Sequence, residues 1–503
     1  MNAIVPALAL LLSQAPDPEV AYAEPGVPTK AYAVIVANNH STDGSLAPLS
    51  FADDDGARYF ELFSTMADRV ELLSVLDAET QGRHPGAAAR ARPPSRAELL
   101  EVLESTFAAI ARDKKAGVRT IFYFIYAGHG SVGATGQGEM HLLDGRFSRA
   151  QLFQEVVAPS PATINHLIID ACNAYLLVAR RGGQAPNAAE MDAAVKSFLQ
   201  KESLDRYPNT GVLVSTSKAA DVHEWRRFSA GIFSHEVRSG LVGAVDVNRD
   251  GQVRYDEIRA FIGAANGKIP DPQARLEVHA RPPAIHLSEA LFDRRLAKNA
   301  PIAQIPPSRW GRAYLEDQRG VRYADFNLAN DGPIEITLVP AEAYFLRSDQ
   351  REVKIPLGAQ ARIDVGALEP EPIMLASRGS EDLTYQQFLF AVPFGQAYFE
   401  GYRASAQPES SAELVLTEEE GTSPLRVVAV SAGVLGVAAA AVGAGFYVAS
   451  TNDAAAYRSR IGSATELDGL RADAESKATT ANILYGVGAG LLLTGVVTWL
   501  VAD

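Results

Sequence analysis

The chain has 503 residues, 47% of them hydrophobic and 21% charged, which suits roughly two to four globular domains with real cores. A formal net charge of −14 and a pI near 5.2 exclude a basic nucleic-acid surface, so no nucleic-acid partner is expected. The single cysteine, Cys172, excludes an intramolecular disulfide and any multi-cysteine metal site.

Residues 1–24 read as a signal or targeting segment: a short apolar stretch followed by SQA, although no Lys or Arg precedes it. AYAVIVANN (31–39) reads as a buried parallel strand, and DDDGARYFELFSTM (53–66) as a helix with an acidic first turn. RVELLSVL (69–76) is a second strand, and 81–95 is a Gly/Pro/Arg loop. Ser95 and Glu98 are spaced as a capping box that starts a helix running to about Arg112. VRTIFYFIYAGHG (118–130) is the strongest strand and ends in a Gly-His-Gly turn. A short hairpin piece (138–145), a helix (147–157) and a strand ending in DAC (162–172) follow, then a strand at 210–219 and helices at 231–244 and 256–265. Continuously apolar strands alternating with helices predict an α/β fold, a doubly wound, mostly parallel sheet with helices on both faces. Sites in such sheets lie beyond the carboxyl ends of the strands, where both AGHG and DACN stand.

Short alternating segments between 300 and 405 predict a small antiparallel, β-sandwich-like domain, and 406–425 an acidic linker. Residues 426–503 hold two uncharged runs, 427–450 and 478–502, each long enough to span a bilayer. They read as a two-helix transmembrane hairpin, with a pair of buried core helices as the alternative. Arg458, Arg460, Arg471 and Lys477 lie between the runs, whereas only Arg426 lies in the 20 residues before the first. The positive-inside rule then puts that loop in the cytoplasm and the large N-terminal part outside it.

A cysteine nucleophile needs a proton acceptor and a group that stabilises the oxyanion. His129 can be the base, Cys172 the nucleophile, and the Gly130 and Cys172 amides the oxyanion donors. Taken singly, Cys172 reads as a small buried hydrophobe and His129 as a satisfied turn histidine. Their occurrence together, at the ends of two apolar strands, favours the catalytic pairing.

AYAVIVANNH, LSFADDDGARYF, FYFIYAGHG and HLIIDACNA resemble the caspase-like cysteine peptidases, in the bacterial branch close to metacaspases (clan CD, family C14). The resemblance covers roughly residues 30–265, within an expected peptidase domain of 28–268. It implies the His129–Cys172 dyad and an acidic first pocket built from Asp170, two residues before the cysteine, and Asp55, with Asp53 and Asp54 as alternatives. Two shielded carboxylates repel each other unless a cation enters, and a guanidinium satisfies both. The expected partner is therefore a protein or peptide cleaved after Arg, or Lys. Glu224 and Trp225 are weaker candidates for the pocket wall. The polar segment 182–209 stands where the family has its inter-subunit linker; Arg180, Arg181, Lys196, Lys201 and Arg206 are self-cleavage points or plain solvated charges. With the hairpin, the implied location is a bacterial inner membrane, peptidase domain extracytoplasmic.

DVNRDGQVRYDE (246–257) fits an EF-hand loop, with Asp246, Asn248, Asp250, Gly251, Gln252 and Glu257 at positions 1, 3, 5, 6, 7 and 12. It would bind Ca2+ or simply form a tight turn; the dyad chemistry needs no cofactor. The leading expectation is a cysteine endopeptidase. The alternative is a catalytically silent, membrane-anchored binding or signalling module of the same fold. His279 and His286 look like ordinary surface or packing residues.

Overall fold

Runs such as AYAVIVA and IFYFIYA carry no charged side chain, so their peptide groups must pair inside a sheet covered on both faces. A computed structural model describes residues 27–42, 44, 46–132, 138–171, 204–216, 224–271, 275–298, 300–358, 361–373, 383–406 and 479. These runs are its central strands. A seven-stranded sheet contains β1 (Thr29–Asn38), β2 (Arg69–Ser74), β3 (Ala91–Arg92), β4 (Arg119–Gly128), β5 (Ile164–Ala171), β6 (Thr210–Thr216) and β7 (Glu277–Arg281), in the order β7-β6-β5-β4-β1-β2-β3. All pairings are parallel except that of the edge strand β7 with β6. The protein is thus a mixed α/β structure with a parallel-dominated central sheet.

Side chains alternate across this sheet into two separate cores. Ala33, Ile35, Tyr123, Ile125 and Ile168 face one side, and Val34, Val36, Phe124, Tyr126 and Ile169 the other. The first face is covered by α1 (Ala52–Phe63), the second by α2 (Arg96–Lys115). Helices α3 (Ile232–Ser239) and α4 (Tyr255–Asn266) join α1 on the first face. Phe63 of α1 sits edge-on to Tyr123, ring centroids 4.9 Å apart. Half of the expected capping box closes α2: Ser95 accepts from Glu98 N–H at 3.3 Å, while the Glu98 carboxylate pairs with Arg92.

The segment after residue 300 adds β8 (Ile302–Ile305), β9 (Arg312–Asp317), β10 (Arg322–Asn327), β11 (Ile334–Thr337), β12 (Ala343–Arg347), β13 (Arg351–Pro356), β14 (Arg362–Asp364) and β15 (Glu371–Pro372). They form a five-stranded sheet, β10-β9-β12-β13-β15, and a three-stranded one, β11-β8-β14. This region has no core of its own. Ala303, Leu315, Phe326, Ile336 and Leu346 belong to the same apolar cluster as Phe233 of α3 and Phe261 of α4, and the chain through Gln407 is one compact unit. Among the described residues of the expected β segment, Pro307–Trp310, Leu383–Phe388 and Gln396–Ala406 are α-helical, the last two being the longer. In Leu383–Phe388, Tyr385 and Phe388 stand three apart, a helical spacing that a period-two reading of LTYQQFLF overlooks.

The segments 1–24 and 406–425 and the apolar runs 427–450 and 478–502 lie outside the described residues, Ala406 and Thr479 apart. Among the described residues no helix is long and apolar enough to cross a membrane.

Helix α1 approaches β1 through Gly56, where an added Cβ would stand 2.5 Å from Ala37 Cβ. Gly56→Ala must push α1 off the sheet and is expected to cost about 1–3 kcal/mol. Urea unfolding measures this; an unchanged midpoint would mean that α1 is not seated so tightly.

Candidate active site at the strand ends

Strands β4 and β5 end in register: Gly128 pairs with Ala171, and on the other side Asn38 of β1 pairs with Gly128. His129 is the next residue after Gly128. Cys172 is the next after Ala171 but lies outside the described residues, as does most of 182–209. Gly128 is required by close packing, since a Cβ there would stand 2.8 Å from the Tyr126 hydroxyl and 3.0 Å from the Asn38 carbonyl oxygen. The same hydroxyl donates to the His129 carbonyl at 2.6 Å and accepts from His141 N–H at 2.9 Å, fixing the backbone of the turn.

The His129 side chain is buried, hydrogen-bonded to the backbone of Ala47, and its Nε2 has no partner among the described residues. Burial lowers its pKa; the Ala47 bond opposes this, and His40 adds to it. A neutral imidazole with one nitrogen tethered and Nε2 free is equipped to take a proton. Gly130 begins a small antiparallel sheet with Gly138–His141 and Arg146–Ser148. A bond from His141 N–H to the His129 carbonyl flanks the Gly130–Met140 pair. That makes it a non-hydrogen-bonded pair and turns the Gly130 N–H away from the neighbouring strand.

The three consecutive acids of α1 are all buried and go separate ways. Asp53 accepts from Asn39 Nδ2 (2.6 Å) and Asp77 N–H (2.9 Å). Asp54 accepts from the Thr80 hydroxyl (3.1 Å) and faces Arg58 at 3.8 Å. Only Asp55 meets Asp170. An added Cβ on Gly231 would stand 3.1 Å from Oδ2 of each, so the two carboxylates flank that glycine. Gly231 N–H donates to Asp55 Oδ2 at 2.8 Å, and the Ser234 hydroxyl and N–H donate to Asp170 Oδ2 at 2.5 and 3.2 Å. The start of α3 thus serves both acids. Glu224 caps α1 from a distance, accepting from Phe51 and Ser50 N–H groups at 2.7 and 2.9 Å; Trp225 beside it is buried against Phe228.

The pair is not an empty acidic hole. Arg238, one turn after Ser234 on α3, places Nη1 2.8 Å from Asp55 Oδ1, with both side chains less than one-twentieth exposed. Its guanidinium also lies over Tyr59, 5.0 Å from the ring centroid. Asp55 therefore carries an internal counter-ion, and Asp170 is left with neutral donors. Burial, and then Asp55, push Asp170 up to about 7; burial raises Asp55 as well, against the pull of Arg238. Sequence reading missed Arg238 and Ser234. The signal was an i, i+4 Ser–Arg pair in the helix expected at 231–244.

The loop 246–257 makes the expected turn, with Gly251 at φ +77°. Asp246 accepts from the Asp250 and Gly251 N–H groups at 3.1 and 3.0 Å, and Asn248 from Asp250 N–H at 2.9 Å. Asp250 accepts from Gln252 N–H, and Glu257 from Arg254 N–H, both at 2.8 Å. The carboxylates already have cations: Arg294 holds Asp246 in a buried ion pair, and Arg254 holds Asp250 at 2.5 Å. Glu257 Oε1 is buried without a partner among the described residues, and burial pushes its carboxyl up to about 8. Among the described residues no group of three His, Cys, Asp or Glu side chains is placed to hold a metal ion. This arrangement does not fit bound Ca2+. His286 pairs with Glu289 at 2.6 Å, and His279 lies on the edge strand β7.

No family model matches the chain, and no curated protein matches it. Among solved structures, pro-sf-caspase-1 is similar at 12% identity and TM-score 0.30, over 50% of this chain and 87% of that one. A structural-genomics protein from Geobacter sulfurreducens is similar at 15% and 0.29, over 53% and 99%. Caspase-1 from Spodoptera frugiperda is similar at 13% and 0.26, over 42% and 70%. Likenesses this low carry no functional inference.

Two outcomes are expected. A carboxyl whose folded pKa is raised stabilises the fold most at low pH, and that contribution is lost as pH rises through the folded value. Wild-type stability is therefore expected to fall between about pH 4 and 7, and Asp170→Asn to remove about 1–2 kcal/mol of that fall, since Asp170 keeps part of its surface open. Urea midpoints at pH 5 and 8 measure this, and identical slopes would count against it. Millimolar Ca2+ is expected to leave the thermal midpoint where it is. A rise beyond ~2 °C would mean that Arg294 yields Asp246 to the ion.

Proposed function

We propose that the protein is a caspase-like cysteine endopeptidase, with Cys172 as nucleophile and His129 as its proton partner. The single observation that carries this reading is the register of β4 and β5. Gly128 and Ala171, which immediately precede His129 and Cys172 in the sequence, are paired neighbours at the ends of adjacent parallel strands. The resemblance of FYFIYAGHG and HLIIDACNA to the caspase-like peptidases, and the free Nε2 of His129, support it.

On this reading the Cys172 thiol gives its proton to His129 Nε2 and attacks the scissile carbonyl carbon. The Gly130 and Cys172 N–H groups receive the oxyanion. The tetrahedral intermediate expels the amine, which takes the proton back from His129 and leaves an acyl-enzyme. Water, deprotonated by His129, then releases the acid and restores the thiol. The side chain before the cleaved bond is Arg or Lys, drawn to Asp170. Because Arg238 already neutralises Asp55, the charge left for a substrate cation is essentially that of Asp170. The two apolar C-terminal runs would tether this peptidase to a membrane.

Fluorogenic peptides ending in Arg, Lys or Asp test the proposal. Turnover is expected for Arg and Lys, to be abolished by Cys172→Ala. Asp170→Asn is expected to lower kcat/KM for the Arg peptide by roughly 30-fold or more, the cost of leaving a buried cation unpaired. Absence of turnover, together with absence of Cys172 labelling by an Arg chloromethylketone, would favour the silent binding module.

A further inference from the structure

Strands β9 and β10 meet the 225–228 turn and the 386–390 segment around a small cleft that is open to solvent. Its floor is aromatic: Trp225, Phe228, Tyr314 and Phe390 are all buried. Its walls carry Arg227, Arg312 and Arg322 against Asp325 and Asp349. A cationic surplus is unexpected in a chain of net charge −14.

These charges do not cancel evenly. Arg322 lies over the Tyr314 ring, 3.8 Å from its centroid, and donates through Nε and Nη2 to both Asp325 oxygens. Asp325 is also bonded to His235 at 2.7 Å, so its acceptor capacity is spent inside the protein. Arg312 donates to the carbonyls of Gln386 and Gln387 at 2.7 and 3.2 Å, neutral acceptors that leave its charge standing. Arg227 makes no hydrogen bond or ion pair to a described residue; its guanidinium rests 5.9 Å from the Trp225 ring centroid. Asp349 is exposed, a carboxylate in water rather than a buried partner. The Trp225 indole N–H is buried without a partner among the described residues, a state that costs free energy unless something accepts from it. Burial lowers the Arg312 pKa against the pull of Asp325 and Asp349, and Arg322 and Arg227 add to the lowering.

We propose that this cleft binds a side-chain carboxylate of an acidic peptide, held by Arg227 and Arg312 over the aromatic floor. A guanidinium fork matches a carboxylate, and the aromatic floor takes the methylene stem that carries it. The cleft's lining includes neither His129, Gly130, Asp55 nor Asp170, although it shares Trp225 with the residues expected near the first pocket, and the proposal does not depend on peptidase activity.

The test is calorimetric titration of the full chain with acetyl-Glu-Glu-amide, with acetyl-Gln-Gln-amide and inorganic phosphate as comparisons. Binding of the Glu peptide is expected at low salt, at least tenfold tighter than the Gln peptide, and weakened by added salt. Arg227→Ala, which disturbs no described bond, is expected to weaken it about tenfold. Asp349→Ala, which removes a like charge from the rim, is expected to tighten it about threefold. Opposite signs from the two variants cannot come from misfolding. Equal binding of the Glu and Gln peptides, phosphate binding as tightly as the Glu peptide, no binding, or an unchanged affinity in both variants would overturn the proposal.

Discussion

Placing three buried carboxylates and a half-buried fourth near the ends of a parallel sheet is the constraint around which the described part of the chain is organised. Asp53, Asp54 and Asp55 lie in the first turn of α1 and Asp170 near the end of β5, and only Asp55 and Asp170 face each other. Each desolvated charge costs several kcal/mol unless donors or cations meet it. Helix α3 meets two of them at once. The N–H of Gly231, its N-cap, and Ser234 in its first turn donate to Asp55 and Asp170, while Arg238 in its last turn reaches back to Asp55. The position of α3 is thus dictated by charge compensation as much as by the apolar contacts of Phe233 and Val237.

The same helix explains why the region after residue 300 is not an independent domain. His235, between Ser234 and Arg238, is fully buried, stacked on Phe228 at 3.8 Å and bonded to Asp325 of β10. Arg322 completes that group, and the bidentate contact holds the Asp325 carboxyl far below the usual carboxylate range despite its burial. Below α3, Arg294 ties the 246–257 loop to the Glu335 carbonyl at 2.6 Å as well as to Asp246. The β region is therefore fastened to α3 and the 246–257 loop by the His235–Asp325 bond, by the buried Arg294 guanidinium and by one shared apolar cluster. The sheet edge, the loop and the cleft beside β9 and β10 all border α3 or its immediate neighbours.

This arrangement bears on the chemistry. A first pocket formed by two bare carboxylates would be doubly charged and costly to leave empty. On the proposed peptidase reading, Arg238 on Asp55 would leave the first pocket with one charge, which protonation of Asp170 near neutral pH can relieve. Selectivity for a single cation is then compatible with a stable unliganded protein. A similar economy marks the 246–257 loop, where arginines occupy the carboxylates that an EF-hand would present to Ca2+.

The sequence by itself determined the strands and the α/β class. Apolar runs alternating with capped, amphipathic helices admit little else, and their side-chain alternation appears unchanged in the two cores. It also brought His129 and Cys172 to the ends of successive strong strands, because strand-to-turn boundaries are local events. Tertiary structure alone decided which strand ends are neighbours, through the Gly128–Ala171 register, and which of three adjacent acids faces Asp170. It alone supplied the partners: Gly231 lies 176 residues from Asp55, and Arg294 lies 48 from Asp246. Periodicity reports the direction of a side chain relative to its own element. The charge that meets it comes from another element, and only packing brings the two together.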